Sequence, residues 1–357
     1  MERSTVFGDT DGPGALSQIF DVDVASDGRV VLSEPQFTRV AAFAPDGTFL
    51  REIGRRGEGP GEFLIPGALT WLADTLVVTD FRLGLGLFDL EGGFHGRVSF
   101  QIPTTGGSGF PVMPMAPLAD GGVLALAPVA TGAALSGAVS HEVWLRTGRG
   151  GAIEDTLLRL PLAGRFAQIR VGEGQGRSGQ HPTAWGTLTA MPPSMGFLVA
   201  VDRVPAEAGA AEHTFQVVRV DLHGDTVAAA EVSYAPTALT AAHRDSIAQA
   251  EGTAWAEATG MAPGPAVDAY RDQVPWPDSW PPVTALLAAD DGSVWLRREG
   301  PVADSVAWDV LDAELEPVGR VRLPTALDVK VVTPGAVYGV ELGELDVPRV
   351  VRYAVRR

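Results

Sequence analysis

The sequence of 357 residues predicts an all-β fold made of repeated four-stranded antiparallel sheets. Short apolar runs alternate with turn-forming residues along the whole chain, which is typical of many short strands. Asp27-Gly28 and Asp46-Gly47 each separate two such runs, and Asp-Gly between alternating apolar residues is a strong hairpin signal. This pair of hairpins recurs six times, and a six-fold repeat of a four-stranded sheet is a six-bladed β-propeller.

The six repeats fill the chain as one domain. The predicted blades lie near residues 18–54, 64–100, 112–160, 184–233, 283–323 and 326–355. The alignment rests on a constant spacing, because the sixth residue after each turn between first and second strands falls at Glu34, Asp80, Pro128, Asp202, Arg298 and Glu341. The last blade ends one strand short, and the apolar segment at residues 4–8 is expected to supply that strand. Such a join closes the ring and removes two open sheet edges.

One segment, residues 236–282, interrupts the blade rhythm as a helical insertion. Thr240 is a suitable N-cap for a helix through the following alanine-rich stretch. Aromatic residues follow at Trp255, Tyr270, Trp276 and Trp280. The insertion is either a lid over the central channel or a flap packed on the blade ends, and packing is favoured because aromatic residues mostly serve cores.

The composition excludes several classes of function. The net charge of −17 argues against nucleic-acid binding and against a broad anionic membrane surface as partner. The absence of cysteine excludes disulfides, thiolate metal sites and cysteine nucleophiles. No apolar run reaches the eighteen residues of a membrane-spanning helix, so no membrane insertion is expected. The first residues lack the apolar stretch of a signal peptide, so we expect a cytoplasmic protein or one whose leader has been removed.

Three motifs carry a resemblance to a known family. They are GEGPGEF at residues 57–63, LVVTD at 76–80 and LFD at 87–89. In this order they resemble the NHL repeat, although the full signature covers only the first two blades. The whole chain resembles bacterial six-bladed propeller proteins of uncharacterised function, many of which are exported. The resemblance therefore implies an extracytoplasmic location. Related propellers are interaction modules, amidating lyases, lactonases or strictosidine-synthase-like proteins, and the fold does not choose among them.

The connections between blades indicate where a ligand would bind. The turns within each hairpin are minimal, whereas the connections between blades are longer at residues 54–66, 101–111, 161–184 and 235–282. Long loops on a rigid scaffold often carry function, so the long-loop face is the predicted binding face. The candidate ligand-binding residues there are Arg82, Arg170, His181, Trp185, Arg271 and Trp276. Arginine forks suit anionic groups, but a solvated loop explains the arginines near Arg170 slightly better.

Carboxylates form the candidate metal site. Asp21 and Asp23 lie on the predicted innermost strand of the first blade, and Asp80 lies at the end of a second strand. Clustered carboxylates suit calcium, but a carboxylate at a strand end commonly accepts hydrogen bonds from a neighbouring loop, and that interpretation is favoured for Asp80. Lys330, the only lysine in the sequence, is expected to pair with Asp21 or Asp23 across the closing seam.

These patterns favour a non-catalytic propeller that binds a small molecule, glycan, peptide or partner protein. No cofactor is expected, although calcium or another divalent cation remains an option. One alternative is a metal-dependent, lactonase-like hydrolase or lyase, and the other is a structural subunit of an extracytoplasmic assembly. The sequence contains no HExxH zinc motif, GxSxG elbow or phosphate-binding loop, and it does not decide between binding and catalysis.

Overall fold

The computed structural model of the protein contains six four-stranded antiparallel sheets arranged as the blades of a propeller. It describes residues 2–9, 11–98, 113–118, 122–130, 140–148, 152–161, 166–171, 175–180, 187–192, 196–203, 213–298, 304–343 and 346–355. In blades 1 to 5 the strands lie in chain order from the first, innermost strand to the fourth, outermost strand. The predicted all-β, six-bladed fold is therefore confirmed.

The strands follow one another with the predicted rhythm. The chain begins with β1 (Glu2–Phe7). Blade 1 contains β2 (Asp21–Val24), β3 (Val30–Glu34), β4 (Arg39–Phe43) and β5 (Phe49–Ile53). The short parallel pair β6 (Arg55–Arg56) and β7 (Glu62–Phe63) then leads to blade 2, with β8 (Pro66–Leu72), β9 (Thr75–Asp80), β10 (Gly84–Phe88) and β11 (Phe94–Val98). Blade 3 contains β12 (Met113–Pro117), β13 (Val123–Ala130), β14 (Ser140–Thr147) and β15 (Ile153–Pro161).

Two additional elements separate the later blades. The hairpin β16 (Phe166–Val171) and β17 (Gln175–Gln180) precedes blade 4, which contains β18 (Thr187–Ala190), β19 (Leu198–Asp202), β20 (Thr214–Val220) and β21 (Thr226–Ser233). Helices α1 (Ala241–Thr259) and α2 (Pro263–Gln273) precede blade 5, with β22 (Ala285–Ala288), β23 (Val294–Arg298), β24 (Ser305–Leu311) and β25 (Pro317–Pro324). Blade 6 contains β26 (Asp328–Thr333), β27 (Ala336–Leu342) and β28 (Pro348–Ala354).

The N-terminal strand closes the ring as predicted. Strand β1 pairs antiparallel with β28 and becomes the fourth strand of blade 6. The Arg352 guanidinium donates to the Ser4 hydroxyl oxygen at 2.9 Å across this pairing. The turn at Gly47 of blade 1 lies directly against the Val6 carbonyl, and its φ of 94° is one that glycine adopts without strain. Joining the two chain ends in one sheet makes closure part of the folded core.

The core consists of apolar layers between successive blades. Each contains buried residues from two neighbours, as where Phe7 of β1 and Phe43 of β4 meet edge to face with ring centroids 6.2 Å apart. Similar layers lie between blades 1 and 2, 3 and 4, 4 and 5, and 5 and 6, and a smaller one joins blades 2 and 3. Blade 1 is covered on both faces, so its second and third strands, β3 and β4, are buried along their whole length.

The insertion is more ordered than the sequence suggested. Thr240 caps α1 as predicted, its hydroxyl accepting from the His243 amide at 3.3 Å. Helix α2 was not predicted, although Pro263 at its first turn is a common helix start. The segment containing Arg170, for which a solvated loop was favoured, pairs as the hairpin β16–β17. Among the described residues, neither helix is long and apolar enough to cross a membrane.

Candidate functional site

The topology separates two faces of the ring. The turns within each hairpin lie on one face, which we call the turn face. The connections between blades lie on the other, the long-loop face, where every first strand begins and every second strand ends. Asp21 opens β2, Asp328 opens β26 and Asp80 closes β9. These three acids therefore lie toward the long-loop face.

Asp80 binds the backbone of the loop that connects blade 1 to blade 2. Its Oδ2 accepts the amides of Leu64 at 2.7 Å and Ile65 at 3.1 Å, which lead into blade 2. Its Oδ1 accepts the amides of Arg82 at 2.8 Å and Leu83 at 3.0 Å, which follow β9. The side chain is buried, with both oxygens engaged by backbone. This geometry favours the structural interpretation of Asp80 over the metal-binding one.

Other acids at strand ends also serve local structure. Glu34 is fully buried, accepts the Ser17 amide at 2.7 Å and pairs with Arg39 at 2.8 Å. Glu341 accepts from the Tyr353 hydroxyl at 2.6 Å, and burial, reinforced by this bond, raises the pKa of Tyr353 to about 12. Over the described part of the chain, no three His, Asp or Glu side chains lie close enough together to hold a metal ion.

Asp21 and Asp23 bind the open edge of the next blade. Strand β8 is the innermost strand of blade 2. The amides on its free edge therefore have no partner strand. The Leu69 amide donates to Asp21 Oδ2 at 2.9 Å, and the Trp71 amide donates to Asp23 Oδ2 at 3.2 Å. Two carboxylates of blade 1 thus replace the missing neighbour strand.

Burial perturbs both carboxyls of this pair. Removal from water raises the pKa of Asp21 to about 6, although its backbone hydrogen bonds and the Lys330 charge lower it in part. Burial, the charge of Asp21 and that of Asp290 raise the pKa of Asp23 well above its usual range. Asp23 is 2% exposed, whereas Asp21 retains some solvent contact. Asp21 is therefore the more exposed residue of the two.

The expected ion pair between Lys330 and Asp21 or Asp23 is wrong. Lys330 Nζ lies 2.9 Å from Asp328 Oδ2, two residues earlier on the same strand. A β-bulge between Val329 and Val331 leaves Lys330 without a register partner, and bulges commonly redirect a side chain. The ammonium thus meets the nearer carboxylate of its own strand, while its charge still acts on Asp21.

An aromatic pair beside Asp21 was missed by the sequence analysis. Phe20 directly precedes β2 and Phe81 directly follows β9, and their rings meet edge to face at 5.6 Å. They are 45% and 43% exposed, although both are large apolar side chains. The only available signal was their position at strand ends on the long-loop face. We use the name channel-mouth site for Phe20, Asp21, Phe81, Asp328 and Lys330.

Most of the described members of the predicted ligand-binding set lie away from the channel-mouth site. Helices α1 and α2 pack on the hairpin β16–β17 around Ile169, Trp255 and Tyr270, forming what we call the accessory module. Within it, the Arg271 guanidinium donates to Asp245 at 2.8 Å and Asp268 at 2.7 Å.

Trp276 also belongs to the accessory module. Its side chain packs on the module core, and its indole N–H donates to the Arg271 carbonyl at 3.1 Å. Arg170 is exposed, and its backbone amide and carbonyl pair with the Gln273 side chain at 2.9 and 2.8 Å.

Arg82 does not join that cluster. Arg82 is exposed beside Phe81, and its guanidinium makes no hydrogen bond or ion pair with any residue that the structure describes. His181 and Trp185 lie outside the described residues. Arg82 therefore borders the channel-mouth site, whereas Arg170, Arg271 and Trp276 belong to the accessory module.

Two grooves lie on the opposite, turn face. One of about 720 Å³ runs between blades 4 and 5, and one of about 600 Å³ runs between blades 5 and 6. In the first, Arg219 lies 3.8 Å over the Phe197 ring and donates to the Ala313 carbonyl at 3.1 Å. Its role there is to join the two blades. The turn face therefore contains grooves that its short turns did not predict.

Comparison with known proteins supports the fold alone. No protein-family model and no curated protein matches the chain, so the NHL resemblance remains a prediction. A Bacteroides fragilis protein described as a "putative exported protein" has 11% identity, covers 100% of this chain and 95% of its own, and gives a TM-score of 0.52.

Two further solved structures give lower scores. Virginiamycin B lyase from Staphylococcus aureus has 11% identity, 99% coverage of both chains and a TM-score of 0.43. BamB from Moraxella catarrhalis has 12% identity, covers 94% of this chain and 85% of its own, and gives 0.34. Likenesses at such identities do not transfer a function.

Proposed function

We propose that this protein is a non-catalytic binding propeller whose ligand contacts the channel-mouth site on the long-loop face. The observation that carries the proposal is the exposed pair of Phe20 and Phe81 beside the partly exposed Asp21. Binding sites combine apolar surface with a few fixed polar groups. This arrangement has both.

The apolar component is distinct from ordinary surface hydrophobicity. Single exposed apolar residues are common on protein surfaces, whereas clustered ones mark interaction sites. Phe20 and Phe81 touch each other, and the Phe81 amide donates to the carbonyl of Ile65, which is itself 39% exposed. Three large apolar side chains from two blades thus share one region of the long-loop face.

The polar component is held rigidly. Asp21 is fixed by its bonds to the Leu69 and Val22 amides, and Lys330 forms an ion pair with the exposed Asp328. Groups that are already oriented lose little entropy when a ligand binds. A rigid charged group at the end of a channel is therefore suited to recognition.

The ligand classes that fit are a small molecule, glycan, peptide or segment of a partner protein. Nucleic acid is disfavoured by the charge of −17. We also propose an extracytoplasmic location, which is supported by the sequence resemblance and by the description of the Bacteroides fragilis protein as exported. The proposal requires no cofactor.

A thermal-shift screen tests the proposal. Metabolite, oligosaccharide and peptide libraries are compared on wild type, on a Phe20→Ala/Phe81→Ala double variant, and on Val318→Ala as a matched control. Val318 is 61% exposed on the outermost strand of blade 5, away from the channel. Compounds that bind the channel-mouth site stabilise wild type and the control but not the double variant.

Three results would contradict the proposal. Stabilisation that survives the double variant would place binding elsewhere. A stoichiometric divalent ion whose removal by EDTA lowers the melting temperature, together with turnover of lactones or esters, would favour the metal-dependent hydrolase. Copurification of a tight protein partner that the double variant retains would favour a structural subunit.

A further inference from the structure

We propose that the channel-mouth site binds an organic cation carrying an apolar group, with the ammonium or guanidinium against Asp21 and the apolar group on Phe20 and Phe81. The inference rests on the proposed function and adds the chemical class of the ligand. It follows from the charge balance of the site, the acceptor geometry of Asp21 and the position of the aromatic pair.

The charge balance leaves one carboxylate without a direct counterion. Within the site, Asp21 and Asp328 contribute two negative charges and Lys330 contributes one positive charge, while the exposed Arg82 guanidinium at its border forms no ion pair with any described residue. Lys330 lies 2.9 Å from Asp328, and the described residues provide no cationic side chain within ion-pair distance of Asp21. A charge shielded from water and lacking a partner is unfavourable. A ligand cation would supply that partner.

Asp21 retains acceptor capacity while its orientation is fixed. Its Oδ1 accepts the Val22 amide and its Oδ2 accepts the Leu69 amide, both at 2.9 Å. Each carboxylate oxygen accepts about two hydrogen bonds, so each has capacity for one more. Asp21 is also the more exposed residue of the pair with Asp23 and begins β2 on the long-loop face. A charge-assisted hydrogen bond from an N–H donor is the interaction that this carboxylate lacks.

The surrounding charges define when Asp21 is ionised. Lys330 and Asp328 lie on β26, Asp23 is on the same strand as Asp21, and Asp290, whose charge acts on Asp23, lies in the turn after β22. Burial places the pKa of Asp21 at about 6, so the carboxylate is mostly ionised at neutral pH. A bound cation would favour the ionised form further.

The aromatic pair supplies the second half of the recognition. Phe20 is the chain neighbour of Asp21, and Phe81 touches Phe20. An aromatic face attracts a cation as well as an apolar group. A ligand that places its apolar part on these rings therefore brings its cationic nitrogen close to Asp21.

Three probes with the same phenyl group and different charges test the inference. Phenethylamine is cationic, 2-phenylethanol is neutral and 3-phenylpropionate is anionic, and their binding is measured by ligand-observed NMR. We expect phenethylamine to bind and the other two to bind at least about tenfold more weakly, as a charge-assisted hydrogen bond implies. Its affinity should fall about tenfold between neutral pH and about pH 5, where most Asp21 is protonated.

Two further cationic probes distinguish the source of the nitrogen. A capped Phe-Lys dipeptide amide represents a peptide ligand, and the matching Phe-Gln dipeptide is its neutral control. Tighter binding of the Phe-Lys dipeptide than of phenethylamine would indicate a peptide source. The reverse order would indicate a small amine. Either order supports the inference as long as the neutral Phe-Gln dipeptide binds more weakly.

Single substitutions should change the affinity for phenethylamine in opposite directions. Asp21→Asn should weaken phenethylamine binding about tenfold or more, and Phe81→Ala should weaken it about three- to tenfold. Lys330→Met should tighten it about two- to fivefold, because it removes a nearby positive charge and frees Asp328. Val318→Ala should have no effect. Lys330→Met keeps the test valid if Asp21→Asn folds poorly.

The contradicting outcomes are distinct. If 3-phenylpropionate binds and Lys330→Met abolishes its binding, the site takes anions and the inference is wrong. If 2-phenylethanol binds as well as phenethylamine, charge plays no part and the inference is wrong. In both cases sensitivity to Phe81→Ala would leave the proposed function standing. If no probe binds, the inference is overturned, while the library screen decides the proposed function independently.

Discussion

The channel-mouth site and the accessory module both lie on the long-loop face, and both contain aromatic and charged side chains. In the accessory module those side chains bind one another: Arg271 holds two aspartates, and Trp255 meets Tyr270 edge to face at 6.1 Å. In the channel-mouth site the aromatic rings are half exposed, and Asp21 forms no ion pair with a residue that the structure describes. The same residue types thus form a core in one region and an available surface in the other.

The difference shows that residue type alone does not identify a binding group. The guanidinium of Arg271 would have to break two ion pairs before it could bind an anion. Asp21 needs no such rearrangement to accept a further donor. The two regions therefore differ in whether their charged side chains can bind a ligand without first breaking contacts of the folded protein. Changing each region separately tests this difference.

The largest expected effect concerns the accessory-module core. Replacing buried Trp255 with alanine leaves a cavity against Tyr270 and should cost about 3–5 kcal/mol of module stability. Hydrogen exchange followed by mass spectrometry should show rapid exchange in α1, α2 and β16, with the blade strands still protected. Ligand binding at the channel mouth should survive. Loss of binding in this variant would show that the accessory module belongs to the binding site.

The next effect is the pH dependence that Asp21 gives to stability. Its pKa is about 6 in the folded protein and 3.8 when unperturbed, so between these values the folded state holds more protons than the unfolded state. Its contribution is therefore full below about pH 4 and is lost as pH rises through about 6, a change of about 3 kcal/mol.

Urea unfolding of wild type and Asp21→Asn across this range measures that change. As pH rises, the asparagine variant should become more stable relative to wild type, measured as the difference in unfolding free energy. Carboxyls with lowered pKa, such as Asp27, affect both proteins equally. A difference that is constant with pH would contradict the burial assigned to Asp21.

A smaller effect concerns the link between the helices and the hairpin. Gln273→Ala removes two hydrogen bonds to the Arg170 backbone and should cost about 1–3 kcal/mol locally. Exchange in β16 should quicken while the blades stay unchanged. Gln249→Ala is the matched control, because Gln249 is exposed on α1 and its side chain bonds, among the described residues, to Thr253 of the same helix. Equal exchange in both variants would show that Gln273 does not hold the hairpin.

The smallest effect is expected at Arg271. Its ion pairs with Asp245 and Asp268 are exposed, and exposed ion pairs contribute little to stability. Arg271→Ala should therefore leave both the melting temperature and ligand binding unchanged. A marked loss of binding of an anionic ligand would restore the role that the sequence indicated for this residue.

The sequence predicted what depends on local chemistry. Turns such as Asp46-Gly47 require particular backbone angles, so the glycine reveals them, and the Thr240 cap is likewise a short-range feature. The closing strand was predictable because the last blade lacked a strand. These elements give the fold and the long-loop face.

The site depended on contacts between distant segments. The partner of Lys330 was mispredicted because the bulge at Lys330 is invisible in the sequence. The exposed pairing of Phe20 with Phe81 depends on how blades 1 and 2 pack, and aromatic residues in sequence usually indicate a core. Asp21 was recognised as a candidate, but its bond to the Leu69 amide required the neighbouring blade.

Hydrogen exchange in the presence of ligand tests the central claim most directly. The probes are saturating phenethylamine and, separately, the compound from the library screen that most stabilises the protein. Slower exchange should be confined to the segments around Phe20, Phe81 and Lys330, with α1, α2 and β16 unaffected. Protection confined to the accessory module or to the grooves on the turn face would contradict binding at the channel mouth.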